Sequence, residues 1–238
     1  MECAIHPFKT EGRNCWVCAP ASIADGMRLP LVVMVVGAET TAMLPTILDQ
    51  LEQADKHTPF LLAGFESGDW DRDLTPWPAP PLFRGREPFG GEGASTLRWL
   101  MDAFLPVLTA NWPVSPHRRD RSLLGYSLGG LFALWASLES GAFGGCASCS
   151  GSLWYDGWME YTRRQDIRPD SRVYLSLGRG EEKARNPRMA AVGDATRRCA
   201  DWLAANPNVA ESALVWHDGG HFRDVEKRLA HGLLWLTR

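Results

Sequence analysis

Residues 123–136 read LLGYSLGGLFALWA: an apolar run, a cluster of glycines around one serine, then a helical pattern. Gly125-Tyr126-Ser127-Leu128-Gly129 matches G-x-S-x-G between a predicted strand (RSLLGY) and a predicted helix (LGGLFALWASLES). A serine on so sharp a turn sits in strained backbone, and neighbours without side chains let the helix come close to the strand. The turn lifts the hydroxyl above the carboxyl end of a sheet. It also leaves the Leu128 amide at the helix start, free to donate to an oxyanion. Ser127 is therefore the candidate nucleophile and Leu128 the first candidate oxyanion donor, against the plainer reading of a turn that happens to contain serine.

Outward from this stretch, strand-length apolar runs alternate with longer helical patterns. RNCWVCAP reads as a strand, and LPLVVMVVG (29–37) as a strand covered on both faces. TAMLPTILDQLEQA is a helix, with Leu44, Ile47, Leu48 and Leu51 on one face and Pro45 near its start. TPFLLAGF (58–65) is the next strand. A long stretch rich in proline and glycine follows, ESGDWDRDLTPWPAPPLFRGREPFGGEG, and loops of that length in a compact domain are usually functional. Beyond it come the helix ASTLRWLMDAFLPVL, the strand–elbow–helix, and strands FGGCASCSGS and SRVYLSLG (171–178). The helix PRMAAVGDATRRCADWLAAN, the strand SALVWH and the helix FRDVEKRLAHGLLWLT complete the pattern. Such alternation predicts one α/β domain over 1–238, a mostly parallel sheet with helices on both faces and no large lid domain.

Composition bounds the function. The 238 residues are 45% hydrophobic and 22% charged with net charge −3, which gives no reason to expect nucleic acid or an anionic membrane as partner. The longest apolar run falls far short of the roughly 18 residues of a membrane span. MECAIHPFKTEGRNC lacks the basic segment and apolar core of a secretory signal, so a cytoplasmic location is expected. The six cysteines include the pairs Cys15/Cys18 and Cys146/Cys149. Both pairs lie in strands, where residues three apart face opposite ways and cannot chelate one ion. All six, Cys3 and Cys199 included, are expected to be thiols in a reducing compartment, with no metal and no cofactor.

A serine hydroxyl needs a base. His6, His57 and His117 precede the elbow, and His231 falls within the closing helix. His217 and His221 share the segment VWHDGGHFRDVE, where Gly219 and Gly220 would break any zinc-binding H-x-x-x-H helix. His221 follows a strand and opens a helix from a glycine-rich loop, which selects it as the base, with His217 the alternative. The acid belongs after a later strand and before the histidine. SRVYLSLGRGEEKARN delivers Glu181 and Glu182 there.

GYSLGGLFAL, CSGSLWY, YLSLGRGEEKARNP and GGHF, in this order and with GDWDRDLTPW before them, resemble the α/β-hydrolase esterase family of enterochelin (ferric-siderophore) esterases and S-formylglutathione hydrolase. The resemblance runs from about residue 12 onward. It implies a serine esterase without cofactor, and it places the acid three residues past Gly178, at Glu181, with Glu182 pointing outward. It also implies a second oxyanion donor after the third strand. The family's DG or HG turn is replaced here by VVGAETT, which puts that donor at Ala38, with Glu39 next. An acyltransferase on the same residues, or a non-catalytic binding protein of the same fold, are the competing readings. The expected partner is a small-molecule ester, with the oligomeric state open to a homo-oligomer. Trp70, Trp77 and Trp154 are candidate pocket residues, and Arg72 and Arg84 would meet an anionic substrate. A siderophore trilactone, a short acyl ester and a sugar ester all fit the sequence.

Overall fold

The computed structural model describes residues 3–37, 41–54 and 58–238, excluding the side chain of Cys3. Its centre is an eight-stranded sheet: β1 (Cys3–Thr10), β2 (Arg13–Pro20), β3 (Leu31–Val36), β4 (Leu61–Glu66), β5 (Arg121–Tyr126), β6 (Gly145–Cys149), β7 (Ser171–Gly178) and β8 (Val209–His217). The spatial order is β1-β2-β4-β3-β5-β6-β7-β8. Strands β1 and β2 pair antiparallel, β2 is antiparallel to β4, and every later pairing is parallel. Successive connections from β3 run first to β4 on one side and then to β5 on the other. The crevice beyond the carboxyl ends of β3 and β5 is thus a topological switch point, the usual place for a ligand in such sheets.

The burial of β3 shows why the sequence adopts this arrangement. All six residues are buried. Leu31, Val33 and Val35 enter one apolar cluster, while Val32, Met34 and Val36 enter the other. The helices divide accordingly. Helix α1 (Leu44–Gln53) and the closing helix α6 (Val225–Thr237) cover the second face through Leu44, Ile47, Leu229 and Leu233. The first face is covered by α2 (Gly93–Trp99), α3 (Leu105–Asn111), α4 (Leu128–Glu139) and α5 (Val192–Ala204). Cys15 and Cys146 lie in the first cluster and Cys18 and Cys149 in the second, as opposite-facing strand residues must. Cys18, however, is disulfide-bonded. That corrects the reading of all six cysteines as thiols and removes the cysteine argument for a reducing compartment. Cys15, Cys146, Cys149 and Cys199 are free and buried. Among the described residues, no helix is long and apolar enough to cross a membrane.

Three departures from the sequence reading stand out, the first two with local causes. The edge strand β1 was not anticipated. It is joined to β2 through Glu11 (φ 46°) and Gly12 (φ 81°), the paired positive φ of a type I′ hairpin turn. The helix expected over ASTLRWLMDAFLPVL passes through a π turn, Leu100–Phe104, just before Pro106. Proline has no N–H to continue the ladder, and a π turn absorbs that mismatch. The helix expected from Pro187 breaks at Ala191 into Pro187–Ala190 and α5.

The proline-rich loop is built rather than loose. Asp69 caps the short helix Trp70–Asp73, accepting from the Arg72 amide at 3.1 Å. The Thr75 hydroxyl accepts from the Gly91 amide, and Ala79 bridges to Phe89. Tyr155 donates to the Trp77 carbonyl at 2.6 Å, and Arg188 donates to the carbonyls of Pro80 and Pro81. These donors replace the ladder that prolines cannot form.

The elbow imposes the tightest steric demand. A Cβ at Gly125 would lie 2.1 Å from the Gly129 carbonyl oxygen, a backbone atom that cannot swing away. Gly125→Ala should therefore lower the unfolding free energy by about 2–3 kcal/mol or prevent folding outright. A thermal melt by circular dichroism with an unchanged midpoint would contradict this reading of the crossing.

Candidate active site

Ser127 stands between β5 and α4 with φ 58° and ψ −125°, a conformation that side-chain-bearing residues rarely adopt. Its amide donates to the Cys149 carbonyl and its carbonyl accepts from the Ser152 amide, which hold the turn from both sides. As the first residue of α4, Leu128 has an amide with no acceptor inside the helix.

His221 reaches this hydroxyl from the loop after β8. Its Nε2 lies 3.0 Å from Ser127 Oγ and its Nδ1 lies 2.7 Å from Glu181 Oε2. The Tyr126 hydroxyl donates to the His221 carbonyl at 2.6 Å, fixing the loop to the strand that carries the serine. Glu181 opens a single 3-10 turn past β7 and is buried. Its Oε1 accepts from the Gly178 amide, the Ser150 hydroxyl and Arg228 Nη1, at 2.8, 2.8 and 2.7 Å. Burial pushes the Glu181 carboxyl up, but the hydrogen bond and charge of His221, with the Gly178 and Ser150 donors, outweigh it. The net result lies below the usual carboxylate range. Glu182 turns away to pair with Arg197 at 2.6 Å. His217 lies against the His231 ring, and burial, followed by the charges of His231 and Arg228, holds it down at about 4.

A cleft of about 890 Å³ opens over Ser127, Leu128 and His221. Trp70 and Trp154 line it with Phe89, Met189 and Phe222. Trp70 covers Gly37 and Gly129, and Trp154 packs against Phe89 with the Arg188 guanidinium over both rings. Three expectations are corrected. Arg72 lies outside the lining because Asp73, Asp69 and Glu92 surround its guanidinium, at 3.2, 3.8 and 3.5 Å. Arg84 is likewise outside, and Arg86 supplies the cation at the cleft wall. Trp77 serves the loop instead, donating to the Asp156 carbonyl at 2.7 Å and packing on Tyr155 and Tyr161. Ala38, Glu39 and His57 lie outside the described residues.

Sequence reasoning missed four polar residues at the site. Ser150 (φ 45°) and Tyr126 hold Glu181 and the histidine loop, and the Ser152 hydroxyl lies 3.5 Å from Ser127 Oγ. Arg228 is fully buried on α6. A signal for it existed: a cation sharing the apolar helix face of Val225, Leu229 and Gly232 is not where a solvated charge belongs.

Comparison with known proteins identifies the family and the fold. An esterase family model, described as "Putative esterase", matches residues 11–225. The uncharacterized protein YbbA of Bacillus subtilis (strain 168) is 31% identical over 168 residues, 69% of this chain and 67% of that protein. Among solved structures, an IroE-like serine hydrolase from Shewanella oneidensis superposes with a TM-score of 0.82 at 17% identity, covering 99% of this chain and 80% of that one. The siderophore hydrolase EstA from Aspergillus nidulans gives 0.77 at 19% identity, covering 98% and 93%. The enterobactin esterase FES from Shigella flexneri gives 0.72 at 21%, covering 99% of this chain and 59% of that one. The architecture is the α/β-hydrolase fold, and the chain belongs to the esterase family, a family of carboxylic ester hydrolases.

Proposed function

We propose that the chain hydrolyses a carboxylic ester through an acyl-enzyme on Ser127, with His221 as general base and Glu181 as its orienting acid. The observation that carries this is the unbroken line of contacts from Ser127 Oγ to His221 Nε2 at 3.0 Å and from Nδ1 to Glu181 at 2.7 Å. With Nδ1–H donated to the carboxylate, Nε2 is left to accept the serine proton as Oγ attacks the acyl carbon. The imidazolium so formed is stabilised by ionised Glu181 and then protonates the departing alkoxide. Water, deprotonated by the same Nε2, releases the acid and restores the serine. The Leu128 amide stabilises the oxyanion, with Ala38 as the proposed second donor.

The lining supports an ester with a flat apolar or aromatic part laid against Trp70, Trp154 and Phe89. Structural neighbours named as siderophore hydrolases, enterobactin esterases and a ferulic acid esterase favour the same choice over a short acyl ester.

A fluorophosphonate should label the protein once, at Ser127, and Ser127→Ala should abolish both labelling and turnover; label on Ser150 or Ser152 would refute the assignment. Glu181→Gln should lose about 10³- to 10⁴-fold in kcat while Glu182→Gln stays near wild type, and the reverse order would transfer the role to Glu182.

The depressed Glu181 carboxyl also sets a pH dependence. A group whose folded value lies below its unfolded one contributes stability above the unfolded value, and that contribution is lost as pH falls through the folded value. Urea unfolding should therefore show the gap between wild type and Glu181→Gln at its full size near pH 7 and shrinking below the usual carboxylate range. A gap that stays constant down to strongly acid pH would contradict the assigned shift.

A further inference from the structure

Arg228 is a fully buried cation on the fourth residue of α6, and its five donated hydrogen bonds reach every segment that carries the proposed chemistry. Nη1 donates to Glu181 Oε1 at 2.7 Å, to the Ser150 hydroxyl at 2.8 Å and to the Tyr126 hydroxyl at 3.1 Å. Nη2 donates to the carbonyls of Asp218 and Gly220 at 3.1 and 2.9 Å, within the loop that holds His221. One planar group thus ties together the residue before the nucleophile, the acid itself and the backbone on both sides of Gly219. The space around it is fitted: a Cβ at Gly178 would lie 2.6 Å from Nη2.

We propose that Arg228 is a positioning residue for the reaction, which sets the register of the Ser127, His221 and Glu181 segments and fixes the charge against which His221 works; this rests on the triad reading above. Burying a guanidinium is expensive, and a fold that needed only packing here would be served as well by an apolar side chain. The planar fork accounts for its use. Lysine offers a compact ammonium that cannot reach a carboxylate, two hydroxyls and two carbonyls at once.

The charge has a distinct consequence. With Glu181 ionised, Arg228 neutralises it, so protonating His221 leaves the trio with one net positive charge. Removing the guanidinium leaves His221 facing an uncompensated carboxylate, and its basicity rises. The other titratable groups packed on Arg228 do not blur this reading. Burial pushes Tyr126 from β5 and Cys149 from β6 up to about 12; His217 from β8 is held down at about 4 first by burial and then by His231, with Arg228 only the third cause, so the two larger causes stay in place when the guanidinium is removed. None of these changes charge between about pH 5 and about pH 9. Asp218 and Asp224 in the loop and Lys227 on α6 are the remaining charged groups nearby and are kept in both variants.

The test is the second-order rate of fluorophosphonate labelling of the full chain as a function of pH, which reports on Ser127 and its base without a known substrate. Arg228→Met should move the midpoint of the acid limb upward by about one unit and lower the plateau rate by at least about tenfold. Arg228→Lys should keep the wild-type midpoint, because the charge remains, yet label about tenfold more slowly. A Met variant with wild-type plateau and midpoint overturns the proposal. So does one whose melting midpoint falls while its labelling profile stays put, which would make Arg228 a staple of the fold alone. Should the Met variant not fold, the Lys variant decides: a wild-type labelling rate overturns the proposal, and a tenfold fall with native near-ultraviolet circular dichroism supports it. Failure of wild type to label at Ser127 would instead overturn the triad reading, a result separate from either variant's behaviour.

Discussion

The structure depends on how closely β5 and α4 can cross. Reversing from strand to helix within one residue forces Ser127 to φ 58°, and the reversal brings Gly125 onto the Gly129 carbonyl. The strain of about 1–3 kcal/mol is carried by buried surroundings on every side: Val35 of β3, Trp70 of the proline-rich loop, and Gly151 after β6 all touch the glycines of the turn. What this fixes is a hydroxyl whose direction does not depend on its rotamer alone. Everything the loops contribute is then a matter of meeting a point already set.

Glu181 and His221 meet that point as one unit. The loop leaving β7 and the loop leaving β8 continue the pairing of their strands, with Arg179 donating to the His217 carbonyl and Gly180 to the Gly219 carbonyl, both at 2.8 Å. Glu181 and His221 follow directly on those bonds. Two backbone hydrogen bonds thus join the loops just ahead of the 2.7 Å contact between carboxylate and imidazole. Such pre-organisation is what electrostatic stabilisation of a developing imidazolium requires.

The parallel core was legible because β3 to β7 are buried on both faces and so appear as unbroken apolar or small-residue runs. The edge strand β1 was not, since it is mostly exposed and carries His6, Pro7 and Lys9, residues that read as loop. Its signal was the two-residue turn Glu11–Gly12. At the site, the G-x-S-x-G turn and the glycine-rich histidine loop pointed to residues the fold brings within hydrogen-bond reach, and Glu181 came from family likeness rather than from spacing. Arg72 misled because loop charges were read as facing a ligand, whereas Asp73 and Glu92 of its own loop pair with it. Arg228 escaped for the opposite reason. A sequence shows that a cation is present, but only the packed helix shows that it points inward.

Phe222 is 89% exposed beside His221, its ring 5.0 Å from the imidazole and nearly perpendicular to it. Water pays no attention to which step of a reaction is under way, so a ligand that covers this ring gains about 1.5–3 kcal/mol alike in the Michaelis complex and at the barrier top. Uniform binding of that kind lowers KM and leaves kcat untouched. Under the proposed mechanism, affinity for the substrate body falls to Phe222 and speed at the scissile bond to His221, neighbouring residues of one loop, so that a change at Phe222 would alter preference and leave turnover as it was.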